Sequence, residues 1–131
     1  MMFSLTIHED AENDLEDLKK FHPDVAVRIL VYLQEVGRDQ ELLDSLTVYN
    51  YGANRTAKHH IDKWYSLWKL GFDLWRLKIW EIEDIGSKYR IVYAYIRGQR
   101  EYVVLGVAHR DWDYDEDHEF TKRVIDAYNN L

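Results

Sequence analysis

The sequence contains no cysteine, so it forms no disulfide and offers no thiolate for a metal or for nucleophilic catalysis. It also lacks any hydrophobic run approaching the roughly 20 residues that span a membrane. Its N-terminal segment has neither the charged start nor the long apolar run of a signal peptide. Glycine-rich phosphate loops and nucleophile motifs are missing as well. We therefore expect a cytoplasmic protein without a cofactor or a membrane partner.

Proline and glycine are scarce, with 1 proline and 6 glycines among 131 residues. No linker, repeat or low-complexity segment divides the chain, and its length suits one domain. Hydrophobic residues make up 47% of the sequence and aromatic residues 15%, which is enough to form a buried core. We predict a single domain over residues 1–131.

The net charge of −7 is unusual for a protein that binds nucleic acid, but it is unevenly distributed. Residues 1–54 carry 4 Lys/Arg and 11 Asp/Glu, a net charge of −7. Residues 55–110 carry 11 Lys/Arg and 6 Asp/Glu, a net charge of +5, and residues 111–131 carry 2 and 7, a net charge of −5. A basic middle segment is compatible with a local anion site and equally with an ordinary mixed surface.

Residues 74–112 contain three runs rich in β-branched and aromatic side chains, a pattern typical of strands. The runs cover residues 74–84, 89–97 and 101–109, and residues 85–88 and 98–99 connect them. Such short connections favour antiparallel pairing, so we predict a three-strand meander. Side chains alternate along a strand, which places Arg76 and Lys78 on the face opposite their apolar neighbours.

The rest of the chain predicts helices and one further strand. The predicted elements are a strand at residues 3–7, helices at 9–20 and from Pro23 to Gly37, a helical turn or two at 39–46, and a last helix at about 116–130. The first two helices form a hairpin that covers one face of the sheet. The predicted fold class is therefore α+β, with an N-terminal strand, an α-helical hairpin, an antiparallel three-strand meander and a C-terminal helix.

Residues 47–72 predict a long irregular excursion, a feature that is often functional in a compact domain. Adjacent His59 and His60 point in different directions on most backbones and have no third ligand at suitable spacing, so we expect no metal site. Basic residues interleaved with aromatic residues are typical of nucleic-acid binding, which makes Lys58 and Lys63 candidate RNA contacts. For the tryptophans of this segment, four residues apart, we favour packing on one face of a short helix.

Acidic residues crowd the segment 111–119. They resemble a calcium loop only superficially, because the glycine and the closing acid of an EF-hand loop are absent. We expect several of them to cap and charge the start of the last helix, where a negative charge is favourable.

Four cations, Arg76, Lys78, Arg90 and Arg110, lie on the strands of the predicted meander or at their end. One interpretation is that they are solvated residues on the open face of a half-buried sheet. The other is that they form a site. In both cases we predict that Arg76, Lys78 and Arg90 are exposed on the face opposite the helical hairpin.

Three segments carry a resemblance to a known family. These are Arg76-Leu77-Lys78, Tyr89-Arg90-Ile91-Val92-Tyr93, and an apolar strand that runs into His109-Arg110 before a closing helix. Together they resemble the RelE/ParE superfamily of toxins from bacterial toxin–antitoxin pairs, and the resemblance covers most of the chain. It implies the RelE-like order of elements and a cognate antitoxin protein as partner.

The resemblance also implies an activity. RelE-like members cut messenger RNA, typically on the ribosome and without a metal, by attack of a ribose 2′-hydroxyl on its own phosphate. Such a reaction needs a base, a proton donor and cations that stabilise the charged transition state. The alternative is a ParE-like protein that binds DNA gyrase without chemistry, or a fold relative that has lost its activity.

The resemblance assigns roles residue by residue. Lys78 and Arg76 match paired basic positions and are assigned to base or phosphate-binding roles. Arg90 and Arg110 are assigned to stabilising transition-state charge, since the planar guanidinium bridges two phosphate oxygens. His109 is a candidate acid or base, with a structural role as the alternative.

Overall fold

Five strands form one mixed sheet in the computed structural model, which describes residues 2–131. Residue 1 of the predicted domain lies outside the described residues. The elements in chain order are β1 Ser4–Ile7, α1 Glu9–Phe21, α2 Pro23–Gly37, α3 Gln40–Ser45, β2 His59–Lys63, α4 Tyr65–Trp68, β3 Leu74–Ile79, α5 Trp80–Asp84, β4 Tyr89–Ile96, β5 Glu101–His109 and α6 Glu119–Asn129. None of the helices in residues 2–131 is both long and apolar enough to cross a bilayer.

The strand order is β1-β5-β4-β3-β2. β1 runs parallel to β5, and every other neighbouring pair is antiparallel. The predicted meander is therefore present as β3, β4 and β5, and the predicted α+β fold with its N-terminal strand and C-terminal helix is confirmed.

The helical hairpin covers one face of the sheet. His8 caps α1 by accepting a hydrogen bond from the backbone N–H of Asp10 at 3.0 Å, and acidic residues in the first turn suit the positive end of the helix. His22 separates α1 from α2, and Pro23 occupies the first turn of α2, where a missing N–H costs little. The buried stripes of both helices pack on residues of β3, β4 and β5 to form the larger hydrophobic core.

Helices α4 and α6 cover part of the opposite face and form a second, smaller core. Gly106 of β5 lies directly under Phe120 of α6, and a Cβ atom at Gly106 would approach the Phe120 ring to 2.6 Å. The last helix begins at Glu119, three residues later than predicted, and its N-cap is His118 rather than an acid. The prediction that several acids cap this helix is wrong, because only Glu119 lies in its first turn.

Residues 74–84 do not form one strand, as the sequence predicted. β3 ends at Ile79, and Trp80–Asp84 forms the short helix α5. Ile79 and Ile82 are both buried in the core on the hairpin face. Their spacing of three residues is satisfied by a helical turn and not by a strand, where residues of odd separation face opposite ways.

Part of the 47–72 segment is regular, contrary to the predicted irregular excursion. His59–Lys63 forms β2, the edge strand beside β3. Backbone hydrogen bonds of 2.9 Å from Asn50 to Ile61 and from Ile61 to Tyr51 hold the preceding loop along its outer side. Ile61 is fully buried in the hairpin-side core, so β2 adds both pairing and packing to the sheet.

His59 lies deep in the hairpin-side core. Its Nδ1 is hydrogen-bonded to the Tyr32 hydroxyl, and its Nε2 lies 3.0 Å from the Ser45 hydroxyl oxygen. Burial, together with the neighbouring His60, lowers the pKa of His59 from 6.5 to about 4. The imidazole is therefore neutral in the folded protein near neutral pH, and its role is structural.

We expect the burial of His59 to make stability depend on pH. In the unfolded chain His59 binds a proton below about pH 6.5, but in the folded chain it does so only near pH 4. The free energy of unfolding therefore decreases as the pH falls through this window. Between neutral pH and about pH 4.5 the loss should be roughly 2 kcal/mol. Urea unfolding of the wild type and of His59→Gln at both pH values measures it. His118→Asn, a change at an exposed cap, is the control and should keep the full pH dependence.

Candidate functional site

A cluster of charged side chains lies on the sheet face opposite the hairpin. We call it the polar cluster; its members are His60, Asp62, Arg76, Lys78, Glu83 and Arg90. In the register of β2 and β3, His60 lies opposite Lys78 and Asp62 lies opposite Arg76. The intervening apolar residues of β3 pack into the hairpin-side core. Strand alternation therefore predicted the correct face for the cations.

Arg76 is buried, with 8% of its surface exposed, so the predicted exposed guanidinium is wrong. Its Nη2 donates to Asp62 Oδ2 at 3.1 Å, and its Nη1 lies 3.3 Å from His60 Nδ1. The physical reason is the strand β2. It flanks β3 and places a carboxylate and an imidazole directly against the guanidinium.

Arg90 is also 8% exposed, again contrary to the prediction. Its Nη1 donates to Glu83 Oε1 and to the backbone carbonyl of Tyr89, the latter at 3.2 Å. Helix α5 supplies Glu83 at this end of the sheet. The run that was predicted as one strand thus ends in a helix, and this helix places Glu83 against Arg90 of the central strand β4.

Lys78 is half-buried, and its ammonium has no carboxylate partner within residues 2–131. The ammonium nitrogen lies 4.6 Å from the centroid of the Trp80 ring. Burial, the main cause, and the nearby charges of Arg76 and Arg90 lower the pKa of Lys78 below 10.5. Among the lysine and arginine cations of the cluster, Lys78 is therefore the one best suited to lose a proton, because an arginine stays charged in a protein.

His60 completes the cluster beside Lys78. Its ring stacks on Trp80 with centroids 5.9 Å apart, and its Nε2 lies 2.8 Å from Asn50 Oδ1. Burial and the charges of Arg76 and Lys78 lower the pKa of His60 below 6.5. A neutral imidazole at neutral pH cannot add to the positive charge of the cluster.

Arg110 lies near the polar cluster, whereas His109 does not. Arg110 is exposed in a short turn after β5, and its charge contributes to the lowered pKa of Lys78. His109 pairs in register with Tyr89, and the two rings meet edge to face at 5.2 Å on the hairpin side of the sheet. Its Nδ1 accepts a hydrogen bond from the backbone N–H of Asp111.

The two lysines predicted as RNA contacts lie at opposite ends of β2. Lys58 is exposed just before the strand, and its carbonyl accepts a hydrogen bond from the backbone N–H of Trp80. Lys63 ends the strand, and its ammonium lies 3.9 Å from the centroid of the Trp68 ring. Trp64 is buried against the smaller core as expected, but Trp68 is 40% exposed. The packing interpretation thus fails for Trp68.

Three members of the cluster, His60, Asp62 and Glu83, were not predicted as site residues from the sequence. The alternating pattern of residues 59–63 contained the signal for Asp62, since buried Ile61 predicts that both neighbours face the other way. Glu83 gave no such signal, because its position depends on α5. Within residues 2–131, no group of three or more His, Cys, Asp or Glu side chains is placed to hold a metal.

Comparisons with known proteins identify a similarity of structure but no family. No protein-family model matches the chain, and no curated protein matches it. Among solved structures, the chain is similar to an arginine-to-alanine double mutant of the E. coli toxin RelE in the free state. The two are 17% identical with a TM-score of 0.49, over 97% of this chain and 98% of that chain. A similarity of this size assigns neither a family nor an activity to the chain.

Proposed function

We propose that the chain is a RelE-like toxin of a toxin–antitoxin pair: a metal-independent endoribonuclease that cuts messenger RNA on the ribosome in the cytoplasm. The single observation that carries this proposal is Lys78, a half-buried lysine of lowered pKa beside Arg76 and Arg90. A lysine whose neutral form is favoured in this way can act as a general base, and arginines are the preferred ligands of phosphate. The sequence resemblance to RelE/ParE toxins supports the same assignment.

The proposed reaction uses the cluster as follows. Lys78 in its neutral form takes the proton of the ribose 2′-hydroxyl, and the 2′-oxygen attacks the adjacent phosphorus. The bond from phosphorus to the 5′-oxygen breaks, and water supplies the proton of the leaving group. Arg90 and Arg110 stabilise the charge on the phosphate oxygens, which develops in the transition state. Arg76 positions the phosphate.

The ion pairs of the cluster leave donors for this role. Both contacts of Arg90 with the described residues, to Glu83 and to the Tyr89 carbonyl, involve Nη1. A guanidinium has five N–H donors, so the Nη2 and Nε groups remain for a phosphate. Glu83 therefore orients Arg90, in addition to balancing its charge.

A second candidate function is a ParE-like toxin that binds DNA gyrase without chemistry. One observation favours it: Asp62 neutralises Arg76, and Glu83 neutralises Arg90, on a chain whose net charge is −7. A cluster paired in this way could be a structural feature that presents an interaction surface. The product of the reaction separates the two candidates.

We expect the wild-type chain to cut messenger RNA on purified ribosomes and to leave a 2′,3′-cyclic phosphate and a 5′-hydroxyl, because the 2′-oxygen is the nucleophile. A 2′-O-methyl group at the cut site should block the reaction. Expression of the chain alone should arrest growth, and co-expression of its antitoxin should relieve the arrest. Inhibition of gyrase supercoiling by a chain that never cuts RNA would instead establish the second candidate.

A further inference from the structure

An open cavity beside Lys63 lies apart from the polar cluster, at the edge of the sheet. We propose that it binds one base of a single-stranded RNA whose backbone continues to the polar cluster. This inference rests on the proposed function, and it adds a binding site for the substrate. The cavity has a volume of about 520 Å³, and the lining residues that matter here are Tyr49, Lys63, Trp68, Asp73, Trp75 and Arg97.

The aromatic walls of the cavity are unusually open. Tyr49 is 61% exposed and Trp68 is 40% exposed. The ammonium of Lys63 lies between them, 3.9 Å from the Trp68 centroid and 5.6 Å from the Tyr49 centroid. Exposed aromatic rings around a cation provide a stacking surface for a base and a charge for its phosphate.

The polar end of the cavity can contact the edge of a base. Asp73 Oδ1 accepts a hydrogen bond from the Trp75 indole N–H at 2.8 Å, and Asp73 Oδ2 lies 3.5 Å from Arg97 Nε. Arg97 is exposed and can donate further hydrogen bonds. With Lys63 and Arg97 against Asp73, the lining has a net positive charge on a chain that is acidic as a whole.

Lys63 connects this cavity with the polar cluster. It also lines a second cavity of about 360 Å³, whose walls include Arg76 and Asp62. Trp64 lines that second cavity, and its buried indole N–H has no hydrogen-bond acceptor within residues 2–131. The loop that is hydrogen-bonded to the outer side of β2 contacts Ile61, so a flexible chain can pass around the edge strand at its Lys63 end, from one cavity to the other.

These features favour RNA over a peptide as the occupant. An extended peptide that docks on an edge strand uses free backbone groups. The backbone N–H and C=O of Ile61, in the middle of β2, are already hydrogen-bonded to Tyr51 and Asn50. What the edge offers is aromatic surface and positive charge, and these recognise a base and a phosphate.

The test measures binding of a labelled short 2′-O-methyl oligonucleotide, which cannot be cut, by fluorescence anisotropy. A series of oligonucleotides, each abasic at one position, identifies the base that stacks. We expect one abasic position to weaken binding to the wild type about tenfold. We expect Trp68→Ala to weaken binding of the intact oligonucleotide about as much. The Trp68→Ala variant should bind the abasic oligonucleotide no more weakly than the intact one.

The matched control is Phe21→Ala, which removes a ring that is 76% exposed at the end of α1 and distant in sequence from both cavities. It should bind like the wild type. If Trp68→Ala binds as tightly as the wild type while the wild type cuts RNA, the inference is wrong and the proposed function stands. If Trp68 and one base are coupled but no cleavage occurs, the proposed function fails and the binding site stands. Equal binding of intact and abasic oligonucleotides by the wild type also overturns the inference, and leaves the cavity open to a peptide.

Discussion

Replacing Lys78 by alanine should slow single-turnover cleavage of ribosome-bound RNA by about 10²–10⁴-fold, the range that general acid–base catalysis contributes. Lys78 is half-buried and has no carboxylate partner in the part of the chain described, so its removal leaves no unpaired buried charge. The fold should therefore persist. Lys122→Ala, at an exposed position of α6, is the control and should cut at the wild-type rate.

A second substitution distinguishes between two roles of Lys78, general base and phosphate ligand. Lys78→Arg keeps the positive charge, but arginine cannot lose its proton in a protein. If Lys78 is the base, Lys78→Arg should cut as slowly as Lys78→Ala. If Lys78 only binds phosphate, Lys78→Arg should cut nearly as fast as the wild type.

The pH profile gives an independent measurement. The neutral fraction of Lys78 rises with pH and reaches one half at the pKa of Lys78, which is lowered from 10.5. The wild-type rate should therefore rise with pH and level off once the pH has passed that pKa, and the rates of both Lys78 variants should not rise in this way. A rising limb that survives in Lys78→Arg would assign the base to another group.

Local periodicity was sufficient to predict most of the fold. Hydrophobic residues repeat with one clear period in each of α1, α2, β4 and β5. Short connections determine which of these elements lie side by side. β2 and α5 were not predicted, for physical reasons. Strand β2 has only five residues, and it is stable because Ile61 is buried and β3 lies beside it. Helix α5 continues the apolar run of β3, and the run changes period at Ile79 without a proline or glycine to mark the boundary.

The same two elements explain why the site was only partly predictable. The cations and their face followed from alternation along β3 and β4. Their burial did not, because it depends on Asp62 and Glu83, which lie on the two elements that were missed. The separation of His109 from the polar cluster follows from its register opposite Tyr89.

Replacing Arg90 by alanine should both destabilise the protein and slow cleavage. The partner carboxylate of Glu83 is itself largely buried, and removal of one member of such a pair leaves the other uncompensated, at a cost of about 3 kcal/mol. The loss of one donor to the transition state should slow cleavage by about 10²–10³-fold. The first effect follows from the burial of Arg90, which was predicted from the sequence to be exposed.

Two further variants separate folding from catalysis. In Arg90→Met/Glu83→Gln no charge remains unpaired, so urea unfolding should show most of the lost stability restored, while the rate of cleavage should stay low. Arg123→Ala breaks a comparable ion pair between Arg123 and Asp14, whose carboxylate also accepts the backbone N–H of Val107. This control should lose stability and, measured where it is still folded, cut RNA at the wild-type rate. If the double variant cuts as fast as the wild type, Arg90 serves the fold alone, and the phosphate must be held by Arg76, Lys78 and Arg110.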